Sequence, residues 1–144
     1  MNRPVKPERT GWRDEGISAR HRLWGWDCPA IDIDFLLLEY DRGKPVAIIE
    51  YKNDHATEQD AQHPSYRALR SLANSAGVPF LEVRYTDDYS WYRILPRNLL
   101  ARKHKSYMDH AITEVEYVTF LHRLRNREAP PDVLMDLYDG PIEF

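Results

Sequence analysis

The chain has 144 residues, a formal net charge of -3 and 42% hydrophobic content with 30% charged residues. That suits one soluble globular domain with a sizeable core. It excludes a membrane span, since no apolar run approaches ~18 residues, and argues against a protein that coats nucleic acid with its whole surface. Cys28 is the single cysteine, so no internal disulfide or CxxC metal cluster is available. The start, Met1-Asn2-Arg3-Pro4-Val5-Lys6, lacks the apolar segment of a secretory signal, which gives a cytoplasmic expectation.

Charge is unevenly distributed. Residues 1–24 hold six Lys/Arg against three acids, 25–60 three against nine, 61–110 eight against four, and 111–144 three against seven. An acidic strip between two basic segments is what a metal site gripping a phosphate backbone would want, although chance variation on a mixed surface produces the same pattern.

In chain order, residues 1–9 read as a loose arm. Residues 10–22 read as a helix capped by Thr10, and 23–27 as a short strand. The clearest feature is a hairpin. Residues 31–40 and 45–52 are rich in Ile, Leu, Val and aromatics, and Asp41-Arg42-Gly43 between them supplies a three-residue loop with glycine at the left-handed position. After a polar stretch, Pro64 opens a helix with Leu69, Leu72, Ala73 and Ala76 on one face and Gly77 as its C-terminal stop. Strands follow at 79–86 and 90–95 around an Asp87-Asp88 turn. A second amphipathic helix over 112–127 carries Val115, Val118, Leu121 and Leu124, with capping-box spacing between Thr113 and Glu116. Residues 132–144 form an acidic tail. Residues 1–144 are thus expected to be a single α/β domain, a mixed sheet with helices against it.

Cross-strand pairing places the chemistry. With 41–43 as the loop, Tyr40 opposes Lys44, Leu38 opposes Val46, Leu36 opposes Ile48, Asp34 opposes Glu50 and Asp32 opposes Lys52. One face then carries Leu36, Leu38, Val46 and Ile48 near the turn, suited to a helix cover. Its open end carries Asp32, Asp34, Glu50 and Lys52. Converging carboxylates repel unless a cation sits among them, and hard oxygen ligands suit Mg²⁺ or Mn²⁺. A lysine beside them adds positive charge near an attacking water and a phosphate. A Glu-x-Lys triplet alone carries little information. Here it ends the apolar strand Pro45-Val46-Ala47-Ile48-Ile49-Glu50-Tyr51-Lys52 and follows Pro29-Ala30-Ile31-Asp32-Ile33-Asp34 at hairpin distance.

On those residues and that element order, roughly residues 14–95 resemble the PD-(D/E)XK nuclease superfamily of restriction endonucleases, Holliday-junction resolvases and phage recombination exonucleases. The resemblance implies a restriction-endonuclease-like αβββαβ core with an extra C-terminal helix. It implies a Mg²⁺- or Mn²⁺-dependent phosphodiester hydrolase acting on nucleic acid, DNA before RNA, with a homodimer as one possible assembly. Asp34 and Glu50 would hold the metal together with the Tyr51 carbonyl, Lys52 would orient or activate water, and Glu15 would supply the acid that many members carry on the first helix. Asp14 and Glu8 compete with Glu15 for that role, and Asp32 competes with Asp34. The proline lies three residues before Asp32 rather than beside the ligand, a departure from the family pattern.

Two further groups of basic residues are candidate phosphate contacts: Arg67 and Arg70 on the helix after the site, and the acid-free window Arg93, Arg97, Arg102, Lys103, His104 and Lys105, which with Trp91, Tyr92 and Tyr107 nearby could track a phosphate backbone and stack a base, or form a plain basic surface. The histidines are scattered and form no zinc motif. Cys28 reads as a small buried apolar residue. The rival function is a non-catalytic module that keeps the fold to bind nucleic acid or a protein; the intact Asp34, Glu50 and Lys52 set favours the enzyme.

Overall fold

The computed structural model describes residues 15–58 and 60–138. The arm at 1–9, Glu8, Asp14 and the end of the acidic tail lie outside the described residues. Four strands form one mixed sheet in the order β1-β2-β3-β4: β1 (Phe35–Glu39), β2 (Lys44–Asn53), β3 (Phe80–Tyr85) and β4 (Tyr92–Pro96). The β1–β2 and β3–β4 pairs are antiparallel and β2–β3 is parallel. Helix α1 (Glu15–Trp24) precedes the sheet, α2 (Pro64–Ala76) links β2 to β3, and α3 (Glu114–Leu124) and α4 (Pro131–Tyr138) follow it. The parallel pairing of β2 and β3 requires a long crossover, and α2 supplies it. The strand expected at 23–27 is absent: Trp24 closes α1, and its carbonyl accepts from the Asp27 and Cys28 amides in a turn. Cys28 is exposed rather than buried.

The sheet has two apolar faces. On one, Ile48 and Phe80 are buried under Tyr66, Leu69 and Ala73 of α2. On the other, Ala47, Ile49, Leu81, Val83 and Ile94 pack against Ile112, Tyr117 and Phe120. The α3 stripe is therefore Tyr117, Phe120, Leu121 and Leu124, at i, i+3, i+4 and i+7. It differs from the expected set because the aromatic residues, not the valines, face the sheet. Thr113 and Glu116 do form the capping box. In α2, Gly77 caps the helix with φ 72°, while Leu72 stays 48% exposed because Tyr66, rather than Leu72, completes the buried stripe.

The hairpin turn differs in a way that matters for the site. The loop spans four residues: a 3₁₀ turn at Tyr40–Arg42, then Gly43 at φ 60°. Glu39 opposes Lys44 and Leu38 opposes Pro45, one residue out of the expected register. A bulge then leaves Val46 without a partner, so Leu37 opposes Ala47 and Leu36 opposes Ile48. The two offsets cancel, and the expected alignment returns before the strand reaches its charged end. Leu36 and Leu38 are not covered by a helix; they stay 47% and 41% exposed because α2 sits over β2 and β3 and leaves β1 as an edge. Glu39, 3% exposed, anchors the far end of β1 through Arg125 at 3.3 Å and Arg127 at 2.9 Å, just beyond α3.

The packing of α2 separates two leucines of identical chemistry. Leu69→Ala should cost about 2–5 kcal/mol and Leu72→Ala under ~1 kcal/mol, read from urea unfolding midpoints, because truncation leaves a cavity only at the buried position. Equal losses would refute the helix orientation.

Candidate active site

Side chains alternate along a strand, so the α2 face of β2 carries Ile48, Glu50 and Lys52 in succession. The register extends this across the sheet: Glu50 lies beside Glu82 and Lys52 beside Arg84, while Arg84 in turn lies beside Arg93 and Glu82 beside Leu95. Helix α2 covers the apolar end of this face and leaves the charged end open.

Strand β1 begins at Phe35, so neither Asp32 nor Asp34 is a ladder partner. Asp34 sits in the bend just before the strand, and its Oδ2 accepts the Tyr51 amide at 3.2 Å. That bond brings the Asp34 carboxylate next to Glu50, where its charge acts on the glutamate. The expected pairing of Asp32 with Lys52 does not form. Asp32 instead lines a groove with Ile17, Ser18, His21 and Arg22 of α1, away from the ladder. Glu15 is exposed in the first turn of α1; the charges acting on Glu50 come from Asp34, Lys52 and Glu82.

The main-chain groups of one strand residue point to the same side, and successive residues alternate. The Ile48 amide donates to Pro79 on the β3 side, and the Tyr51 amide donates to Asp34 on the β1 side. The Tyr51 carbonyl therefore faces the side that β1 vacates beyond Phe35, beside the Asp34 carboxylate. Its ring lies on the opposite face, where its hydroxyl is 2.6 Å from that of Tyr117.

Burial pushes the Glu50 carboxyl up from its ordinary range, and Asp34 and Glu82 push it further, against the opposing pull of Lys52. Its Oε2 is closed to solvent and has no hydrogen-bond partner. A buried carboxylate oxygen without a partner is costly, and a cation beside it would remove the penalty.

Glu82 has the opposite environment. It is fully buried on β3, accepts the Tyr66 hydroxyl, and pairs with Arg84 Nε at 3.0 Å and Arg97 Nη2 at 2.8 Å. Burial raises its carboxyl, but these donors and the Arg97 charge outweigh it and leave it below its usual range. Glu82, Arg84 and Tyr66 carried no prior assignment. The available signal was a charged residue in the middle of the apolar strand Phe80-Leu81-Glu82-Val83, which a central strand tolerates only with partners.

The basic candidates divide. Arg97 is consumed by Glu82 and lies 5.3 Å from the Tyr66 ring centroid, so it is part of the scaffold. Arg70 donates to the carbonyls of Arg97 and Ala61. Arg67 is exposed on α2. Arg102, Lys103 and Lys105 are exposed on a 3₁₀ segment, Ala101–Tyr107, whose Ala101 and Tyr107 pack into the core on the α3 face, while Arg102 lines a groove with Arg70, Asn74 and Arg97. Lys52 is partly buried, with its ammonium 6.0 Å from the Tyr66 ring centroid. Elsewhere, the carboxylates of Asp54 and Asp87 and the His55 ring lie close together on the exposed end of the sheet.

A mixed four-stranded sheet with clustered carboxylates and a lysine at one open end describes the class of site. The chain belongs to the family described as protein of unknown function (DUF2726), which matches residues 19–97 and so spans α1 from its middle through the sheet, including Asp34, Glu50, Lys52 and Glu82. No curated protein and no solved structure matches the chain.

The two glutamates predict stability changes of opposite sign in metal-free buffer. The folded state holds the Glu50 proton more tightly than the unfolded chain does, so its contribution is favourable at low pH and is lost as pH rises through the raised folded value. Glu50→Gln should therefore raise Tm near neutral pH by about 2–4 °C, the scale of ~1 kcal/mol for a chain of this size. The gain should shrink on acidification into the ordinary glutamate range. Glu82→Gln should cost about 3–5 kcal/mol, because it strands two arginines. A lower Tm for Glu50→Gln would refute the reading of its environment.

Proposed function

We propose that the chain is a metal-dependent nuclease, a phosphodiester hydrolase of the PD-(D/E)XK kind acting on nucleic acid, with DNA before RNA. The observation that carries this reading is the Asp34 carboxylate bonded to the amide after Glu50, beside a Glu50 oxygen that is buried and unpartnered, with Lys52 next on the same face.

The donor set fits a small hard cation: two carboxylates, from Asp34 and Glu50, and the Tyr51 carbonyl turned to the same side. Bound there, Mg²⁺ or Mn²⁺ would neutralise phosphate charge and make water a better nucleophile. Lys52 then has a defined task. Its ammonium donates to the attacking water or the phosphate oxygens and stabilises the negative charge that develops as the new P–O bond forms and the bond to the leaving oxygen breaks. Water supplies a hydroxyl to phosphorus and a proton to the leaving oxygen, giving a phosphate monoester and an alcohol. Glu82 takes no part in that exchange, because its oxygens are committed to Tyr66, Arg84 and Arg97. It is a positioning residue that holds β3 charge beside Glu50.

Cleavage of supercoiled, single-stranded and branched DNA with Mg²⁺ or Mn²⁺ tests the proposal. Lys52→Ala should fold, bind Mn²⁺, and cut at least ~100-fold more slowly, the scale for losing a group that positions or activates the nucleophile. Glu50→Gln should lose both Mn²⁺ binding by calorimetry and cleavage. If the wild type cuts no DNA or RNA with any divalent ion yet binds one tightly, and Lys52→Ala changes nothing, the fold serves as a binding module instead.

A further inference from the structure

Beyond the carboxylates, the same face of the sheet continues into a pocket of about 350 Å³ at the β3–β4 end, within the volume range of small-molecule sites. Its lining includes Arg84, Trp91, Arg93, Leu95, Asp54 and Glu58. Three features make it unlike a plain surface dent. Trp91 is 50% exposed, and its indole has no ring partner among the described residues, so a large flat apolar surface is presented to the pocket. Arg93 is exposed and has no carboxylate partner among the described residues. Arg84 Nη1 donates to the Ala56 carbonyl at 2.7 Å while Nε is fixed by Glu82, which ties the segment bearing Asp54 and Glu58 to the sheet and preforms the pocket.

The registers relate this pocket to the site. Lys52, Arg84 and Arg93 are neighbours in one row across β2, β3 and β4, so Arg93 is two strand spacings, about 10 Å, from Lys52. Trp91 is two residues before Arg93, just ahead of β4, and lines the same pocket. A nucleotide strand whose scissile phosphate lies by Glu50 and Lys52 would bring a neighbouring phosphate to Arg93 and the base it carries over Trp91.

Resting on the nuclease reading of the neighbouring carboxylates, we infer that this pocket binds the base of an unpaired nucleotide adjacent to the scissile phosphate, so that the substrate is nucleic acid with a single-stranded segment at the cut. Trp91 stacks the base, Arg93 meets its phosphate, and Asp54 and Glu58 accept from the amino groups of the base edge. The two acids argue for a base rather than a second phosphate, which they would repel. A continuous duplex keeps its bases stacked and paired, and it would have to extrude one at a cost of a few kcal/mol before the pocket could fill.

The test is binding by fluorescence anisotropy, with the full chain in EDTA at low salt. A short labelled single-stranded DNA is compared with a blunt duplex of the same sequence. The wild type should prefer the single strand. Trp91→Ala should weaken single-strand binding about 10- to 100-fold, the scale of one lost base–aromatic stack, while duplex binding changes by less than about twofold. Trp91→Phe should restore most of the loss, which a merely structural tryptophan at a half-exposed turn position would not require. Equal loss on both DNAs, no loss on either, or no single-strand binding by the wild type would overturn the inference. The readout needs neither metal nor cleavage. A chain that binds this way and hydrolyses nothing refutes the catalytic reading alone, and one that cuts DNA with Trp91→Ala unaltered refutes the pocket alone.

Discussion

Glu82 lies at zero exposure in the middle of a central strand, and a bare carboxylate there would unfold the sheet locally or take up a proton. Three donors prevent both outcomes. Each reaches it from a different part of the chain: Tyr66 from α2, Arg84 from two residues along β3, and Arg97 from just past β4. The buried charge thus joins α2 to the strands beneath it. It also fixes both arginine side chains, and Arg84 carries the restraint on to Ala56 after β2. The shape of the open end of the sheet, from the carboxylates to the Trp91 pocket, depends on this one anchored charge. The arrangement is not without residual cost, since Arg84 Nη2 and Arg97 Nε are buried without partners. A network fully satisfied at its acid and incompletely satisfied at its bases holds geometry more than it adds stability.

Glu50 is its neighbour in register and its opposite in character. One strand spacing separates a carboxylate with every oxygen committed from one with an oxygen committed to nothing. The anchored charge helps keep the second one uncomfortable, because Glu82 is among the groups that raise the Glu50 carboxyl. A fold concerned only with stability gains from replacing such a residue by a neutral one. On the proposed reading that cost has a use, since the repulsion that burdens the metal-free state would become attraction with a cation bound.

Much of this was legible from the residues alone, and the boundary has physical causes. The hairpin, α2 and its glycine cap, and the capping box of α3 follow from local chemistry, which acts within a few residues and leaves its mark in the sequence. Placing Leu36 against Ile48, with Asp34 near Glu50, was reached from a three-residue loop that does not exist; the longer loop and the Val46 bulge compensate, and bulges have no simple sequence signature. Asp32 was misplaced because alternation was carried past the end of β1, where the chain leaves the ladder and periodicity ceases to constrain it. The expected α3 stripe held Leu121 and Leu124 but left out Tyr117, whose hydroxyl is met by that of Tyr51 across the core. The Glu82 network depends on β2–β3 parallel pairing and on Arg97 folding back, both long-range facts. Arg97 shows the same limit: a basic residue in an acid-free window finds an acid fifteen residues away.

Net charge says little about the local electrostatics of the sheet for a similar reason. The chain is acidic overall, yet the open face is ordered in rows across the strands. Glu50 and Glu82 form an acidic row with Asp34 at its edge, and Lys52, Arg84 and Arg93 form a basic row two residues further along, about 7 Å away. Arg84 is paired with Glu82 at 3.0 Å across the two rows, so the positive charge of the basic row rests on Lys52 and Arg93 at its two ends. On the proposed reading, a phosphate diester lying along the basic row would present one of its two non-bridging oxygens to a cation held by the carboxylates and keep the other on the basic side. The alternation of acidic and basic segments along the sequence only hinted at this arrangement. The sheet creates it by aligning Lys52, Arg84 and Arg93 from three strands, and Arg84 carried no functional assignment until the register placed it between the other two.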